Sequence, residues 1–156
     1  MRQAFLVRSG LLATACVALL MAARVDAEQR EPFPYEFSMT PQEGPLDPSI
    51  EKRYTAQFRT CQEGAVSTLA IGACFTAEFA RQDKVLNQTW RSTLIRIASK
   101  SRAPLLAAQR KWVAARDPFC RSMTEEFRGG TIAPVIYVNC RVEQTIRRTL
   151  WLKQLR

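Results

Sequence analysis

Apolar positions recur at helical spacing through most of the chain. At 3.6 residues per turn, Leu105, Gln109, Trp112, Arg116, Phe119 or Cys120, Met123 and Phe127 fall along one side of a helix. That side is apolar except for the amide of Gln109 and the guanidinium of Arg116. Upstream, Phe75, Phe79, Leu86, Trp90 and Ile97 step by 4, 7, 4 and 7 residues, and Asp83 sits inside the stripe. A buried Arg is costly unless a carboxylate and further hydrogen bonds meet it. Two helical stripes, each interrupted by one charge of opposite sign, predict an Asp83–Arg116 pair between packed helices. Asp83, Asn87, Gln109, Trp112 and Arg116 then read as a core polar network that fixes helix register. On that reading Asp83→Ala strands a buried Arg116 and costs several kcal/mol.

The rest of the pattern completes a bundle. A first short helix starts near Asp47-Pro48, where Asp caps and Pro fits the first helical position, and Ile50, Tyr54, Phe58 and Cys61 share its face. Gly64 breaks it, Ser67 caps the next helix, and that helix runs from about Thr68 to Ala98. Ser99 to Arg102 reads as a turn, with Pro104 in the first turn of the helix that carries Trp112. Gly129-Gly130 ends it. Pro134 lies early in a last helix that runs to about Lys153, buries Val135, Val138, Val142 and Ile146, and leaves through basic residues. The expected fold is all-α: a small disulfide-stapled bundle of about four helices in two helix hairpins.

What precedes it differs in composition. Arg2 and Arg8 precede an apolar run of 13 residues, Leu11 to Ala23, and Val25-Asp26-Ala27 offers small residues for cleavage. Residues 1–27 read as a secretory signal peptide, too short to span a bilayer. Cys16 follows Ala13-Thr14-Ala15, but the apolar run continues past it and the Leu of a lipoprotein box is absent. Residues 28–48 form an acidic, Pro-rich arm or linker in which Phe33, Tyr35 and Phe37 alternate, and 49–156 form the helical domain. No other stretch reads as a transmembrane segment, so a periplasmic or secreted location is expected.

Four cysteines remain beyond the signal peptide, an even number that favours two bridges in an exported chain. Three pairings are possible. Cys61 and Cys74 lie nearly symmetrically about the turn at 64–67, and Cys120 and Cys140 about Gly129-Gly130. Positions equidistant from a hairpin turn come opposite one another, which favours Cys61–Cys74 and Cys120–Cys140. There is no histidine and no C-x-x-C spacing, so no metal and no cofactor is expected. Nothing resembles a nucleophile with its base, which argues against an enzyme.

The ordered set Cys61, Cys74, Asp83-x-x-Leu86-Asn87-x-x-Trp90, Gln109-x-x-Trp112-x-x-x-Arg116-Asp117-x-x-Cys120, Gly129-Gly130 and Cys140-x-x-x-x-Thr145-x-x-Arg148 resembles the DUF1311 family, also called the lysozyme inhibitor LprI-like N-terminal domain. The resemblance covers about Cys61 to Leu152. Trp90 departs from it, standing where the family usually has Tyr, and the acidic arm has no place in its pattern. It implies an all-helical exported bacterial domain and, through the family's name, a lysozyme or other envelope protein as partner.

Charge adds a second reading. Residues 52–156 carry 19 Lys and Arg against 7 Asp and Glu, while residues 28–51 carry six acids and one base. A basic body favours anionic lipid, lipopolysaccharide or cell-wall polymer, as a structural or envelope-homeostasis domain would. Export and the lack of base-stacking motifs disfavour nucleic acid. Many lysozymes are basic, so an inhibitor on this scaffold has to offer carboxylates, from the acidic arm or from local ones such as Glu125-Glu126, Asp117 or Glu143. The candidate partner-binding residues are Glu125, Glu126, Gly129, Gly130 and Thr131, an exposed tip braced by a disulfide.

Overall fold

The computed structural model describes residues 47–155. The chain divides at Pro34/Tyr35 into two units, and the described residues all fall in the second. The expected signal peptide and nearly all of the expected arm lie outside them. Asp47 accepts from the Ser49 N–H at 2.8 Å and caps α1 (Pro48–Glu51), with Pro48 at its first position. The chain then turns, and Thr55 starts α2 (Ala56–Glu63). The single first helix expected from the sequence is therefore two, because Thr55 caps a new start with its own hydroxyl accepting from the Phe58 N–H.

Ser67 caps α3 (Thr68–Arg96) through the Ala70 N–H. α4 (Ser99–Ser122) begins directly after Ala98. The turn expected at Ser99–Arg102 is part of that helix, and Pro104 lies inside it rather than in its first turn. Proline there leaves the Lys100 carbonyl without its helical donor, a loss that water covers because Lys100 is exposed. A short 3₁₀ turn (Glu125–Phe127) links α4 to α5 (Ala133–Gln154), whose second residue is Pro134. Among the described residues there is no strand.

Both bridges form as the hairpin symmetry predicts, Cys61–Cys74 with Cα atoms 5.8 Å apart and Cys120–Cys140 at 5.5 Å. α2 runs antiparallel to α3, and α4 antiparallel to α5. α3 and α5 run side by side in the same direction: Gly72 lies beside Val135, and Thr93 Oγ donates to the Leu152 carbonyl. Both disulfide-braced turns therefore sit at one end of α3 and α5. Two apolar clusters fill the interior. Ile50, Tyr54, Phe58, Cys74, Val142 and Ile146 form one. Leu86, Ile97, Leu105, Trp112 and Leu152 form the other, at the far end.

Candidate functional site

Polar side chains occupy the seams between helices, and their chemistry decides whether they act or only hold. On α3 the fully buried carboxylate is Glu78. It takes the Thr55 N–H at 3.0 Å and the Thr55 hydroxyl at 2.6 Å, and Gln82 Nε2 and Arg81 Nε donate to it at 2.7 and 2.8 Å. Gln82 also donates to the Arg53 carbonyl at 2.8 Å. Glu78 thus caps the start of α2 from across the hairpin while Cys61–Cys74 holds its end. An eight-residue helix is too short to persist alone, and these two ties supply what propagation cannot. Burial alone raises the Glu78 carboxyl, but the bonds from Gln82, Thr55 and Arg81 outweigh it and hold it below the usual carboxylate value.

Asp83 is not the interior carboxylate that the stripe predicts. Its side chain is 41% exposed, and it stands 3.7 Å from Arg116 Nη1. The expected Asp83–Arg116 pair is thus present, and Arg116, which is buried, also bonds its neighbour Asp117 through Nε at 3.0 Å. Asp117 is shared with Arg141 of α5 at 3.2 Å. The guanidinium of Arg116 also lies 5.0 Å from the Phe79 ring centroid and 5.3 Å from that of Trp112. With that company in place, Asp83→Ala is expected to cost less than about 1 kcal/mol, as an exposed ion pair does. A urea titration of the variant beside Asp117→Ala, expected to cost more, checks which carboxylate holds Arg116. Asn87 lies outside the core too: it is exposed and donates back to the Asp83 carbonyl and carboxylate.

Gln109 and Trp112 meet a different cation. Arg148 of α5, fully buried, donates from Nε to Gln109 Oε1 at 2.9 Å. Its guanidinium stacks 3.9 Å from the Trp151 ring centroid and 5.6 Å from that of Trp112. Burial pulls the Arg148 guanidinium down to about 10. Gln109→Leu removes an acceptor from a buried charge and should destabilise by about 1.5–3 kcal/mol. Arg148→Met, which removes the charge but keeps apolar bulk, should cost less in the same urea titration. These residues lie between packed helices.

The tip is built differently. α4 ends at Ser122, and the Thr124 hydroxyl donates to the Arg121 carbonyl at 2.7 Å. Glu125, Glu126, Gly129, Gly130 and Thr131 are all exposed, as are the apolar side chains of Phe127 and Ile132. Glu125 pairs with Arg128 three residues on. Gly129 adopts φ +82°, which the turn reserves for glycine, and a Cβ on Gly130 would meet the Phe127 carbonyl at 3.2 Å, so a side chain there fits only if that carbonyl shifts. At its base Cys120 is fully buried and bridged to α5. Periodicity puts Phe127 on the buried stripe of α4, but that helix stops before it and Phe127 joins Ile132 on the surface of the tip.

Among the described residues no cluster of three His, Cys, Asp or Glu side chains is placed to hold a metal ion, and no helix is long and apolar enough to cross a membrane. The fold and its seams define a class: a small helical domain held by two disulfides, with polar residues between its helices and a braced acidic turn at one end. More narrowly, the chain belongs to the LprI family, whose description is lysozyme inhibitor LprI and which matches residues 60–152. That match takes in both disulfides, Glu78, Arg148 and the tip, and leaves out α1. A protein of Rhizobium meliloti (strain 1021), described as uncharacterized, is 29% identical over 104 residues, covering 58% of this chain and 75% of its own length. No solved structure matches the chain.

Proposed function

We propose that this chain is an exported, non-catalytic binding domain of the bacterial envelope that inhibits a lysozyme-type hydrolase by presenting the tip at residues 125–131. The observation that carries the reading is the family match, which spans the tip and the bridge that fixes it. Physical features support it. A turn already ordered by a disulfide loses little freedom on binding. Glu125 and Glu126 offer charge to a basic enzyme, and Phe127 and Ile132 offer apolar area beside them. The helical body, with its excess of Lys and Arg, repels such an enzyme at long range, so the acidic tip has to lead. Two disulfides suit the oxidising compartment into which a signal peptide at residues 1–27 would deliver the chain.

Titration of the oxidised domain against several lysozymes, followed by calorimetry at low and at physiological salt, tests this. The expected result is saturable binding that persists at physiological salt. Heat absent for every enzyme would count against the proposal.

The charge of residues 52–156 favours a second reading, attachment to anionic lipid, lipopolysaccharide or cell-wall polymer. Binding to anionic vesicles that fades as salt rises, with no lysozyme binding, is its distinguishing result.

A further inference from the structure

At the end of the bundle that carries both braced turns, α3 and α5 leave an uncovered groove of about 640 Å³ between them. Its walls are mainly apolar: Leu69 and Phe79 on α3, Val135, Tyr137 and Val138 on α5, with Arg141 at its inner end and Gly72 beside Val135. The α3 residues tied to α2 and its cap, Ile71, Cys74 and Glu78, do not line it, so α2 packs elsewhere on that helix. Leu69 is 84% exposed, and Val66, in the turn just before α3, is 96% exposed. Apolar side chains left open at this density along a groove call for a cover.

We propose that the cover is this chain's own segment Tyr35–Met39, laid along the groove in extended form. Tyr35, Phe37 and Met39 alternate with Glu36, Ser38 and Thr40, the period that places three apolar side chains on one side of an extended strip. The lengths agree. From Tyr35 to Met39 an extended chain covers about 13 Å. The wall from Leu69 to Phe79 rises roughly 15 Å along its helix. The reach is sufficient as well. Ile50, three residues after the α1 cap Asp47, packs with Val142 and Ile146 of α5. The groove's far wall at Pro134 lies roughly 18 Å further up that helix from Ile146. Met39 stands eight positions before Asp47, a stretch that can span about 26 Å. Charge agrees too: residues 28–51 hold six acids and one base, against the excess of 12 cations over residues 52–156. An acidic strip with apolar teeth suits an apolar groove in a basic body better than a second copy of that body does. The proposal does not depend on the tip acting as an inhibitor.

The test uses the chain from residue 28 onward and the variants Phe37→Glu, Leu69→Glu and their combination. Leu69 is exposed, so its substitution spares the interior, and Thr76→Glu on the same wall serves as a second groove variant. Expected are shifted Val135 and Val138 methyl resonances in Phe37→Glu and at least a threefold rise in binding of a hydrophobic dye. The double variant should show little beyond either single change, because two residues in contact lose one interaction between them. Methyl shifts and dye binding unchanged by Phe37→Glu would overturn the proposal. So would strictly additive effects, or groove resonances that move with protein concentration, which would assign the groove to a second copy.

Discussion

Replacing Glu78 by Ala is expected to destabilise the domain by about 3–5 kcal/mol, the largest effect of any single exposed or buried carboxylate in the bundle. The substitution leaves the Thr55 N–H and the Thr55 hydroxyl without this acceptor and Gln82 with only the Arg53 carbonyl, and each stranded donor costs about 1–3 kcal/mol. Arg81 is 34% exposed in its side chain and can turn to water, so it adds little. Glu78→Gln keeps the volume but aims an amide N–H₂ at donors, and it should cost roughly half as much. The acid dependence provides a second readout. Glu78 titrates below its ordinary value of 4.5 in the folded chain. Its contribution is therefore complete above that value and disappears as pH falls through the lower, folded one. Urea titrations from neutral pH downward should show the gap between the native protein and Glu78→Gln closing in acid. Taking the difference removes Glu143, which burial pushes the opposite way. A gap that stays constant with pH would mean that Glu78 is not ionised in the folded state.

Removal of the Cys120–Cys140 bridge by paired Cys→Ala substitutions is the other large effect, expected at about 3 kcal/mol from the loop it closes. The two residues are separated by 20 positions, and Cys120 is fully buried. Alanine keeps that site apolar. The loss should be visible as a lower midpoint in thermal unfolding, with the helical signal of the folded state retained. It also releases the base of the tip, so hydrogen exchange at residues 123–132 should quicken more than exchange along α3. Equal quickening everywhere would show that the bridge stabilises the whole domain without bracing the tip.

Much of this architecture could be read from the residues. The hairpin symmetry of the cysteines, the caps at Asp47 and Ser67 and the apolar face of α5 are local signals, and each survives folding because nothing distant competes with it. The face of α3 was harder. The aromatic stripe Phe75, Phe79 and Trp90 flanks the interior and is only partly buried. The buried positions are Cys74, Glu78, Gln82, Leu86, Thr93 and Ile97; Leu86 and Ile97 lie on the expected stripe, while Cys74 and Glu78 each stand one residue before Phe75 and Phe79. Small and polar side chains fit where helices approach most closely, provided each polar group finds a partner, and hydropathy does not score partners. The expected charge pair does form, Asp83 standing 3.7 Å from Arg116, but with the Asp83 side chain partly in solvent. Asp83 has the right spacing for Arg116, yet Asp117 is adjacent in sequence and also serves Arg141, which no periodicity reveals. Pro104 suggested a helix start, but one lost backbone bond in an exposed turn did not outweigh a helix that begins at Ser99. The exposed apolar residues Val66 and Leu69 gave no signal either, because a lone Val or Leu near a turn looks like an ordinary core residue until the fold shows it facing outward.

The tip's role is tested most directly by lysis of a peptidoglycan suspension by several lysozymes, with the oxidised domain or its Glu125→Gln/Glu126→Gln variant added. The account predicts dose-dependent protection by the native domain and at least a tenfold weaker effect from the variant, whose unfolding midpoint stays unchanged because both side chains are exposed. Lysis at the full rate with the native domain at high excess, or equal protection by the variant, would contradict it.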